Sequence, residues 1–353
     1  MSNTENSLTA FIKLGEKINK LVENGGDESF DEIIRKSYKQ NNWFIRENIL
    51  FALRSIALML SEEKLRQWLA AYKFPDTKNQ NPKNILVVSA GNIPLVGFHD
   101  FLSVLISGNN YVGKLSSDDN ILLPAIAEML ISTEASFAEH IHFTEGKAQD
   151  FDAAIATGSD NTSRYFDYYF GKYPNIIRRN RNSIAILTGQ ESESELSGLA
   201  DDICMYFGLG CRNVSKVFIP EDSDISIIFT ALQKYRNSLS MHNKYMNNYD
   251  YHKSIFMMNQ TKYIDNDFML FTENAALSSP IAIVNYQRYK NTEEVKKYIA
   301  DEKDKLQCVI GNENIFNNGY PFGKSQQPEL WDYADGVDTL AFLLKLFTCS
   351  SSF

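Results

Sequence analysis

The sequence predicts an α/β protein in which a parallel sheet follows an N-terminal helical segment. Between residues 8 and 73, apolar residues recur at three- and four-residue spacing, which is the periodicity of amphipathic helices. From residue 84 onward, short apolar runs alternate with helical stretches, the pattern of βαβ units. A polar, proline-containing linker, residues 73–84 ("KFPDTKNQNPKN"), separates the two patterns.

The predicted elements follow in chain order. Strands are predicted over 84–90, 109–116, 140–145, 152–158, 182–189, 215–220, 276–286 and 306–311. Helices are predicted over 91–108, with Pro94 in the first turn, and over 120–133, 159–173, 192–208 and 224–239. The aromatic residues of the 159–173 helix are predicted to face the core: Tyr165, Phe166, Tyr169 and Phe170. In parallel sheets of this kind, ligands bind where strands end and helices begin.

Composition narrows the class of protein. The 353 residues suit about two domains, and the net charge of −9 argues against a nucleic-acid partner. No positive N-terminal region precedes an apolar run, and the longest apolar stretch is interrupted by polar residues and proline, so neither a signal peptide nor a membrane span is expected. The cysteines show no metal-ligand spacing, which predicts reduced cytoplasmic thiols and no metal site.

One cysteine stands on a glycine turn. Cys211 follows Gly208 and Gly210 in "YFGLGCRNVSKVFIP", between a helix and a strand. A nucleophile needs such access, whereas most unpaired cysteines are small buried hydrophobic residues, and both interpretations stay open at this stage. Apolar neighbours predict that Cys204 and Cys308 are core residues, and Cys349 lies near the tail.

Three further features lie at predicted strand ends. Asn92, in "SAGNIPL", is either an amide donor to a developing oxyanion or a helix N-cap, and by itself the cap is better supported. Lys114 ends a strand, in the region where a Rossmann-type sheet meets an adenosine ribose, although by itself a solvated lysine is the better explanation. Gly158 and Ser159 open a helix, whose free N–H groups suit phosphate.

The order of these motifs resembles the aldehyde dehydrogenase superfamily. "AGNIP" is similar to its asparagine motif, "GNNYVGKL" to its lysine motif, "TGS" to its glycine-serine turn, and "GLGCRNVSKVFIP" to its cysteine motif. "IATGSDNTSRYFDYYF", "GLGCRN" and "DYADGVDTLAFL" resemble more narrowly the LuxC-type acyl-CoA reductases, over roughly residues 80–345. The resemblance implies a Rossmann-type nucleotide-binding domain and a smaller α/β catalytic domain.

The resemblance also implies roles for individual residues. Cys211 would be the nucleophile, and Asn92 with the Cys211 N–H would hold the oxyanion. The residues implied to contact the cofactor are Lys114, Ser116, Ser117, Gly158 and Ser159. It further implies domains over 1–80 (N-terminal helical segment), 81–187 (nucleotide-binding), 188–325 (catalytic) and 326–353 (C-terminal return segment).

Two departures from the superfamily pattern refine the expected reaction. Ile186 or Leu187 stands where hydrolytic members carry a glutamate that activates water, so an acyl-cysteine should hydrolyse slowly. Ser117 stands where NAD-dependent members often place a glutamate, which leaves room for a 2′-phosphate and favours NADPH over NADH.

The implied activity is NADPH-dependent reduction of a fatty acyl thioester to the aldehyde through an acyl-cysteine. The donor would be acyl-CoA or an acyl group delivered by a partner protein. Because aldehyde dehydrogenases form dimers and tetramers, the resemblance also implies a homo-oligomer. Three alternatives stay open: aldehyde oxidation to the free acid, acyl transfer by Cys211 without nicotinamide, and a non-catalytic partner protein on a degenerate dehydrogenase fold.

Overall fold

The structure, a computed structural model, describes residues 3–74, 81–146, 148–158, 160–312, 316 and 319–347. Its α-helices are α1 (Asn3–Glu23), α2 (Glu28–Gln40), α3 (Arg46–Met59), α4 (Glu62–Ala70), α5 (Phe98–Ile106), α6 (Leu122–Thr133), α7 (Asp160–Phe170), α8 (Glu193–Cys204), α9 (Phe229–Leu232), α10 (Arg236–Ser240), α11 (Asn243–Met258), α12 (Thr292–Asp301) and α13 (Thr339–Lys345). Its strands are β1 (Asn84–Val88), β2 (Asn110–Lys114), β3 (Ile141–Phe143), β4 (Ala153–Thr157), β5 (Asn175–Arg178), β6 (Asn182–Ile186), β7 (Val214–Pro220), β8 (Ile264–Asp265), β9 (Leu270–Glu273), β10 (Ile283–Tyr289) and β11 (Leu306–Ile310).

The chain divides into two compact units. The first unit comprises Met1–Arg179 with Glu329–Phe353, and the second comprises Asn180–Pro328. In the second unit β6 pairs with both β7 and β11, which places the strand that begins at Asn182 in the second sheet. The sequence-based boundaries at 80, 187 and 325 stay a prediction about functional domains.

A five-stranded parallel sheet forms the centre of the first unit. The strands lie in the order β3-β2-β1-β4-β5, and every pairing is parallel. The middle of β1 is fully buried because its residues, Ile85, Leu86 and Val87, are apolar on both faces of the sheet. All five carboxyl ends therefore meet at one edge, and the strand order reverses between β1 and β4.

The N-terminal helices complete the core of the first unit. Helix α1 packs against α3, α5 and α6. Its apolar stripe is buried, namely Leu8, Phe11, Leu14, Ile18 and Val22. The Phe11 ring meets that of Phe137 edge-on, with 5.8 Å between centroids. Residues 3–70 thus form helices that pack on α5 and α6 and contribute to the same hydrophobic core.

The second unit is built on a six-stranded sheet. Its order is β11-β6-β7-β10-β9-β8, parallel except for the short antiparallel pair β8 and β9. Its buried cluster joins the strands to α12 and comprises Ile184, Ile186, Phe218, Tyr289, Val295, Leu306 and Phe316. Strand β7 lies between β6 and β10, and from Lys216 onward it is paired on both sides.

Four details differ from the sequence prediction. Helix α5 begins at Phe98 and not near Pro94, because Leu95 takes a left-handed backbone conformation with φ 58° that ends any helical continuation. The predicted helix over 224–239 is a series of short helical turns. Strand β5 has no counterpart in the prediction. The predicted burial of Tyr165 and Tyr169 is wrong, since they are 66% and 59% exposed.

Among the described residues, no helix combines the length and the hydropathy that crossing a membrane requires.

Candidate active site

The carboxyl edge of the first sheet gathers the candidate cofactor residues. Val88, at the end of β1, pairs with Lys114 of β2 and with Ala156 of β4. The turn that carries Asn92, the loop after Lys114 and the turn at Gly158 therefore all leave the sheet at this edge. Because the strand order reverses here, the edge is a topological switch point, the usual ligand position in open α/β sheets.

Asn92 is exposed in the turn between β1 and α5. The N-cap position of α5 belongs to Gly97, so the interpretation of Asn92 as a helix cap is wrong. The turn is constrained at Leu95, which has a left-handed backbone conformation and donates its N–H to Oδ2 of Asp119 at 2.9 Å. Burial raises the pKa of Asp119 to about 7, against the backbone hydrogen bonds that lower it. The sequence offered no sign that Asp119 reaches this turn.

The loop after β2 packs directly on the Asn92 turn. A Cβ at Gly91 would lie 2.6 Å from Oγ of Ser116, so the two segments touch through glycine. The Ser116 hydroxyl also accepts the N–H of Asp118 at 3.2 Å, which gives this side chain a structural role within the loop. Ser117, by contrast, is exposed.

The end of α2 holds both segments in place. The side-chain amide of Gln40 donates to the Ser117 carbonyl and, at 2.8 Å, to Oδ1 of Asn120. Asn41 donates to the Gly91 carbonyl at 3.3 Å and to the Asp118 carbonyl at 3.4 Å. These two residues support the loops of the candidate site, and sequence reasoning missed them, because nothing local in a helix end indicates a contact with loops 50 to 80 residues away.

Gly158 stands between β4 and α7 because space allows nothing larger. A Cβ there would lie 2.9 Å from the Phe166 ring and 3.0 Å from Thr162. The Gly158 N–H donates to the Arg178 carbonyl of β5 at 3.4 Å. Ser159, the other predicted phosphate ligand, lies outside the described residues.

This edge fits a dinucleotide. It combines the switch point, the 11-residue helix α7 that starts two residues after Gly158, and the partly exposed Lys114.

In the part of the chain that the structure describes, no group of three or more His, Cys, Asp or Glu side chains forms a metal site.

Cys211 lies in the second unit, in the turn between α8 and β7. Its side chain is exposed, so the interpretation of Cys211 as a small core residue is wrong, whereas the predicted burial of Cys204 and Cys308 is confirmed. Cys349 lies outside the described residues. The Cys211 carbonyl accepts the Ser183 hydroxyl at 2.9 Å, which ties the turn to β6.

A cationic side chain follows the exposed cysteine. Nη1 of Arg212 lies 3.3 Å from Sγ of Cys308, and the guanidinium stands 5.5 Å from the centroid of the Tyr320 ring. Burial lowers the pKa of Arg212, but attraction from Cys308, Tyr320 and Cys211 outweighs it, so that the net direction is upward. A fixed cation beside the turn is one of the environments in which cysteine nucleophiles occur.

The position of a hydrolytic base is apolar. Ile186 and Leu187 are both completely buried at the end of β6. The first carboxylate after them, Glu191, is folded back on its own loop, where it accepts the Thr188 hydroxyl at 2.7 Å and the Gly189 N–H at 3.1 Å. Its two oxygens are thus committed to the loop.

Comparison with known proteins gives a family match. The model of the family described as acyl-CoA reductase (LuxC) matches residues 17–314. Long-chain acyl-protein thioester reductase 2 of Photobacterium leiognathi is 25% identical over 163 residues, which are 42% of this chain and 34% of that protein. Long-chain acyl-protein thioester reductase of Aliivibrio fischeri is 24% identical over 169 residues, 43% of this chain and 35% of that protein. The chain therefore aligns with well under two thirds of these relatives.

Solved structures show the same fold. Aldehyde dehydrogenase 21 from Physcomitrella patens has a TM-score of 0.69 at 12% identity, covering 98% of this chain and 85% of that chain. Aldehyde dehydrogenase C from Pseudomonas syringae, with NAD⁺ and octanal, has a TM-score of 0.62 at 9% identity, covering 89% and 73%. The chain has an aldehyde-dehydrogenase-like α/β fold, as the sequence predicted.

Proposed function

Because the chain belongs to the acyl-CoA reductase (LuxC) family, we propose that it reduces a fatty acyl thioester to the aldehyde, with Cys211 as nucleophile and a nicotinamide cofactor. The observation that carries the proposal is the exposure of Cys211 on a turn that begins a central strand. A thiol that only filled the core would share the burial of Cys204.

The proposed chemistry begins at the thiol. The Cys211 thiolate attacks the acyl carbonyl, the sulfur of the donor leaves as a thiol, and an acyl-cysteine remains. The amide of Asn92 and the N–H of Cys211 donate to the oxygen that becomes negative. The nicotinamide, when bound, supplies the hydride. Collapse of the tetrahedral adduct then gives the aldehyde and frees the thiolate.

Apolar packing at the end of β6 favours reduction over hydrolysis. Leu187 offers no proton acceptor, and Glu191 is hydrogen-bonded to its own loop. Water near an acyl-cysteine would then lack a general base, which contributes typically about 10²- to 10⁴-fold to such a step. The acyl-enzyme would persist long enough to be reduced or returned to a thiol.

The carboxyl edge of the first sheet is the proposed cofactor site. Lys114 and Ser117 would contact the adenosine ribose and its phosphate, with Ser116 shaping the loop between them. Gly158 and Ser159 would lie beside the pyrophosphate at the start of α7. The exposed Ser117, without a carboxylate, supports NADPH as the preferred cofactor, with NADH as the weaker one.

The proposed substrate is a long-chain acyl thioester. The relatives from Photobacterium leiognathi and Aliivibrio fischeri are named for long-chain acyl-protein thioesters, which supports a donor on a partner protein as well as acyl-CoA. Self-association into a homo-oligomer and a cytoplasmic location belong to the same proposal.

The test is an assay of NADPH oxidation by the purified chain, with acyl-CoAs of increasing chain length. We expect oxidation that depends on the thioester and releases CoA. Cys211→Ala should lower it by about a thousandfold or more, because the covalent route is lost. Cys349→Ala removes a thiol elsewhere in the chain and should leave the rate unchanged.

Each alternative gives a different result. Full activity in Cys211→Ala would contradict the assignment of Cys211 as the nucleophile. Acyl label trapped on Cys211 with no NADPH oxidation would indicate acyl transfer, and steady oxidation of an aldehyde by NAD(P)⁺ without CoA would indicate an acid-forming dehydrogenase. Absence of both labelling and nicotinamide binding would indicate a non-catalytic partner.

A further inference from the structure

Three consecutive residues just before Cys211 have a left-handed backbone. Tyr206, Phe207 and Gly208 have φ of 52°, 59° and 76°. Glycine adopts this conformation readily, but residues with a Cβ pay a steric cost, and the two aromatic residues are both buried. Such backbone persists only where its surroundings hold it, and it is concentrated at functional sites.

The side chain of Asn213 connects the two ends of this turn. Its Nδ2 donates to the carbonyls of Met205 at 2.8 Å and of Asp202 at 3.0 Å, with Ile203 at 3.5 Å. Its Oδ1 accepts the Gly210 N–H at 2.8 Å. Asn213 is 3% exposed, so these bonds form away from water, where leaving a partner unsatisfied is costly.

These bonds form a ring around the cysteine. The Met205 carbonyl belongs to the end of α8, and the Gly210 N–H immediately precedes Cys211, while Asn213 itself follows Cys211 by two residues. A second contact supports the same turn from outside: the Phe207 ring packs on that of His242, with 4.3 Å between centroids. His242 in turn caps α11 by accepting the Tyr245 N–H at 3.2 Å.

We infer that Asn213 is a positioning residue: its amide holds the left-handed turn closed and thereby sets the exposure and direction of the Cys211 thiol. An amide is needed because the two ends present opposite groups, carbonyls that require a donor and an N–H that requires an acceptor. Aspartate keeps the acceptor but turns a carboxylate toward carbonyl oxygens. The role of Asn213 in catalysis rests on the proposed function, whereas its effect on the thiol does not.

The test measures thiol reactivity without any substrate. Native protein is alkylated with iodoacetamide between pH 6 and 10, and the rate at Cys211 is followed by peptide mass spectrometry and divided by its rate in denatured protein. In Asn213→Asp we expect this ratio to fall at least tenfold, with a shifted pH profile, because the turn relaxes and withdraws the thiol.

Asn285→Asp is the matched control. Asn285 is also buried in the second unit, 2% exposed, and its Nδ2 donates to the carbonyls of Ala276 at 3.1 Å and Ser278 at 3.0 Å. The Asn285→Asp variant loses the same amide donors at a position that does not contact the turn. Its ratio of native to denatured alkylation rates at Cys211 should therefore stay within twofold of that of the unaltered chain.

Two outcomes would overturn the inference. One is a folded Asn213→Asp protein whose Cys211 ratio and pH profile match those of the unaltered chain; the other is an equal change in Asn285→Asp. If Asn213→Asp does not fold, Asn213→Ala, which removes both the donor and the acceptor without adding a charge, replaces it, and an unchanged ratio there is equally decisive. Absence of reductase activity in the unaltered chain would refute the proposed function and leave this readout intact.

Discussion

Ser117 shows how a single exposed side chain bears on cofactor choice. It follows Lys114 by three residues, at the sheet edge where a dinucleotide fits, and its hydroxyl carries no charge. The loop that presents it is fixed from behind by Gln40, which donates to the Ser117 carbonyl. The residue is therefore held in place by its backbone, while its side chain stays available.

We expect Ser117→Glu to reverse the proposed preference for NADPH. A carboxylate beside the ribose would repel a 2′-phosphate and accept a hydrogen bond from a 2′-hydroxyl, so the ratio of kcat/KM for NADPH to that for NADH should fall about tenfold or more. Ser254→Glu adds the same charge on α11 and should leave the ratio unchanged. If the ratio of kcat/KM for NADPH to that for NADH is the same in both variants, the adenosine ribose does not lie beside Ser117.

The candidate cofactor residues lie on turns and loops at the carboxyl edge of the first sheet, and contacts with neighbouring elements fix these turns. The β1–α5 turn is held by Asp119 at Leu95, and the loop after β2 is held by Gln40 and Asn41 at the end of α2. The β4–α7 turn is different, since it depends on the absence of a side chain at Gly158. Each turn has its own physical constraint, so each is open to a separate test.

Gly158→Ala should weaken cofactor binding. The added Cβ would lie 2.9 Å from the Phe166 ring, so the start of α7 must shift to make room. Overpacking of this kind costs about 1–3 kcal/mol, and we expect the Kd for NADPH, measured by fluorescence titration, to rise about tenfold. Alkylation of Cys211 should not change.

The matched control for that variant is Gly146→Ala. A Cβ at Gly146 would meet nothing within 4 Å. NADPH affinity should therefore stay within twofold of the unaltered chain. A Gly158→Ala protein that binds NADPH normally would show that the cofactor does not approach the start of α7.

Two buried carboxyl groups make the stability of the whole molecule depend on pH. Burial raises the pKa of Asp119 to about 7 and that of Asp202 to about 6, in spite of the hydrogen bonds that each accepts. A carboxyl group with a raised folded pKa stabilises the fold fully below its unfolded pKa, and that contribution is lost as the pH rises through the folded pKa. The free energy of unfolding should thus decline between about pH 4 and pH 7 on account of these groups.

Asp119→Asn should remove part of that decline. Its amide does not ionise, so the fall in the free energy of unfolding between pH 5 and pH 8, measured by urea denaturation, should be smaller by about 2 kcal/mol. Asp118→Asn alters the exposed neighbouring carboxylate and should leave the decline as it is. An identical decline in Asp119→Asn would show that another group titrates.

A buried ion pair, Arg178 with Asp100, also contributes to how the first unit is held together. Arg178 of β5 donates two hydrogen bonds, at 2.5 and 2.8 Å, to Asp100 of α5, and a third to Thr339 at 2.9 Å. Thr339 begins α13, so this buried pair joins the C-terminal return segment to the first sheet. None of the three residues stood out in the sequence, because a buried charged pair has no local pattern.

Local patterns in the sequence predicted many of the elements and the residues proposed to carry the chemistry. Apolar runs and turn residues predicted β1, β2, β4, β6, β7 and β11, and the order of motifs predicted an aldehyde-dehydrogenase-like fold, which the structure confirms. They also singled out Cys211, because glycines beside a cysteine at a strand start are visible without any contact. These features depend on neighbours within a few residues, where sequence and conformation are directly coupled.

Only the tertiary structure decided how those elements are held. Contacts beyond the reach of local patterns decide the exposure of Cys211, the left-handed backbone of Leu95 and Phe207, the hydrogen bond from Asn213 to Met205, and the packing of α1 on α3, α5 and α6. Propensity alone would keep Tyr206 and Phe207 out of a left-handed turn. Burial and hydrogen bonds override it there, since the free energy of the whole core outweighs the preference of one residue.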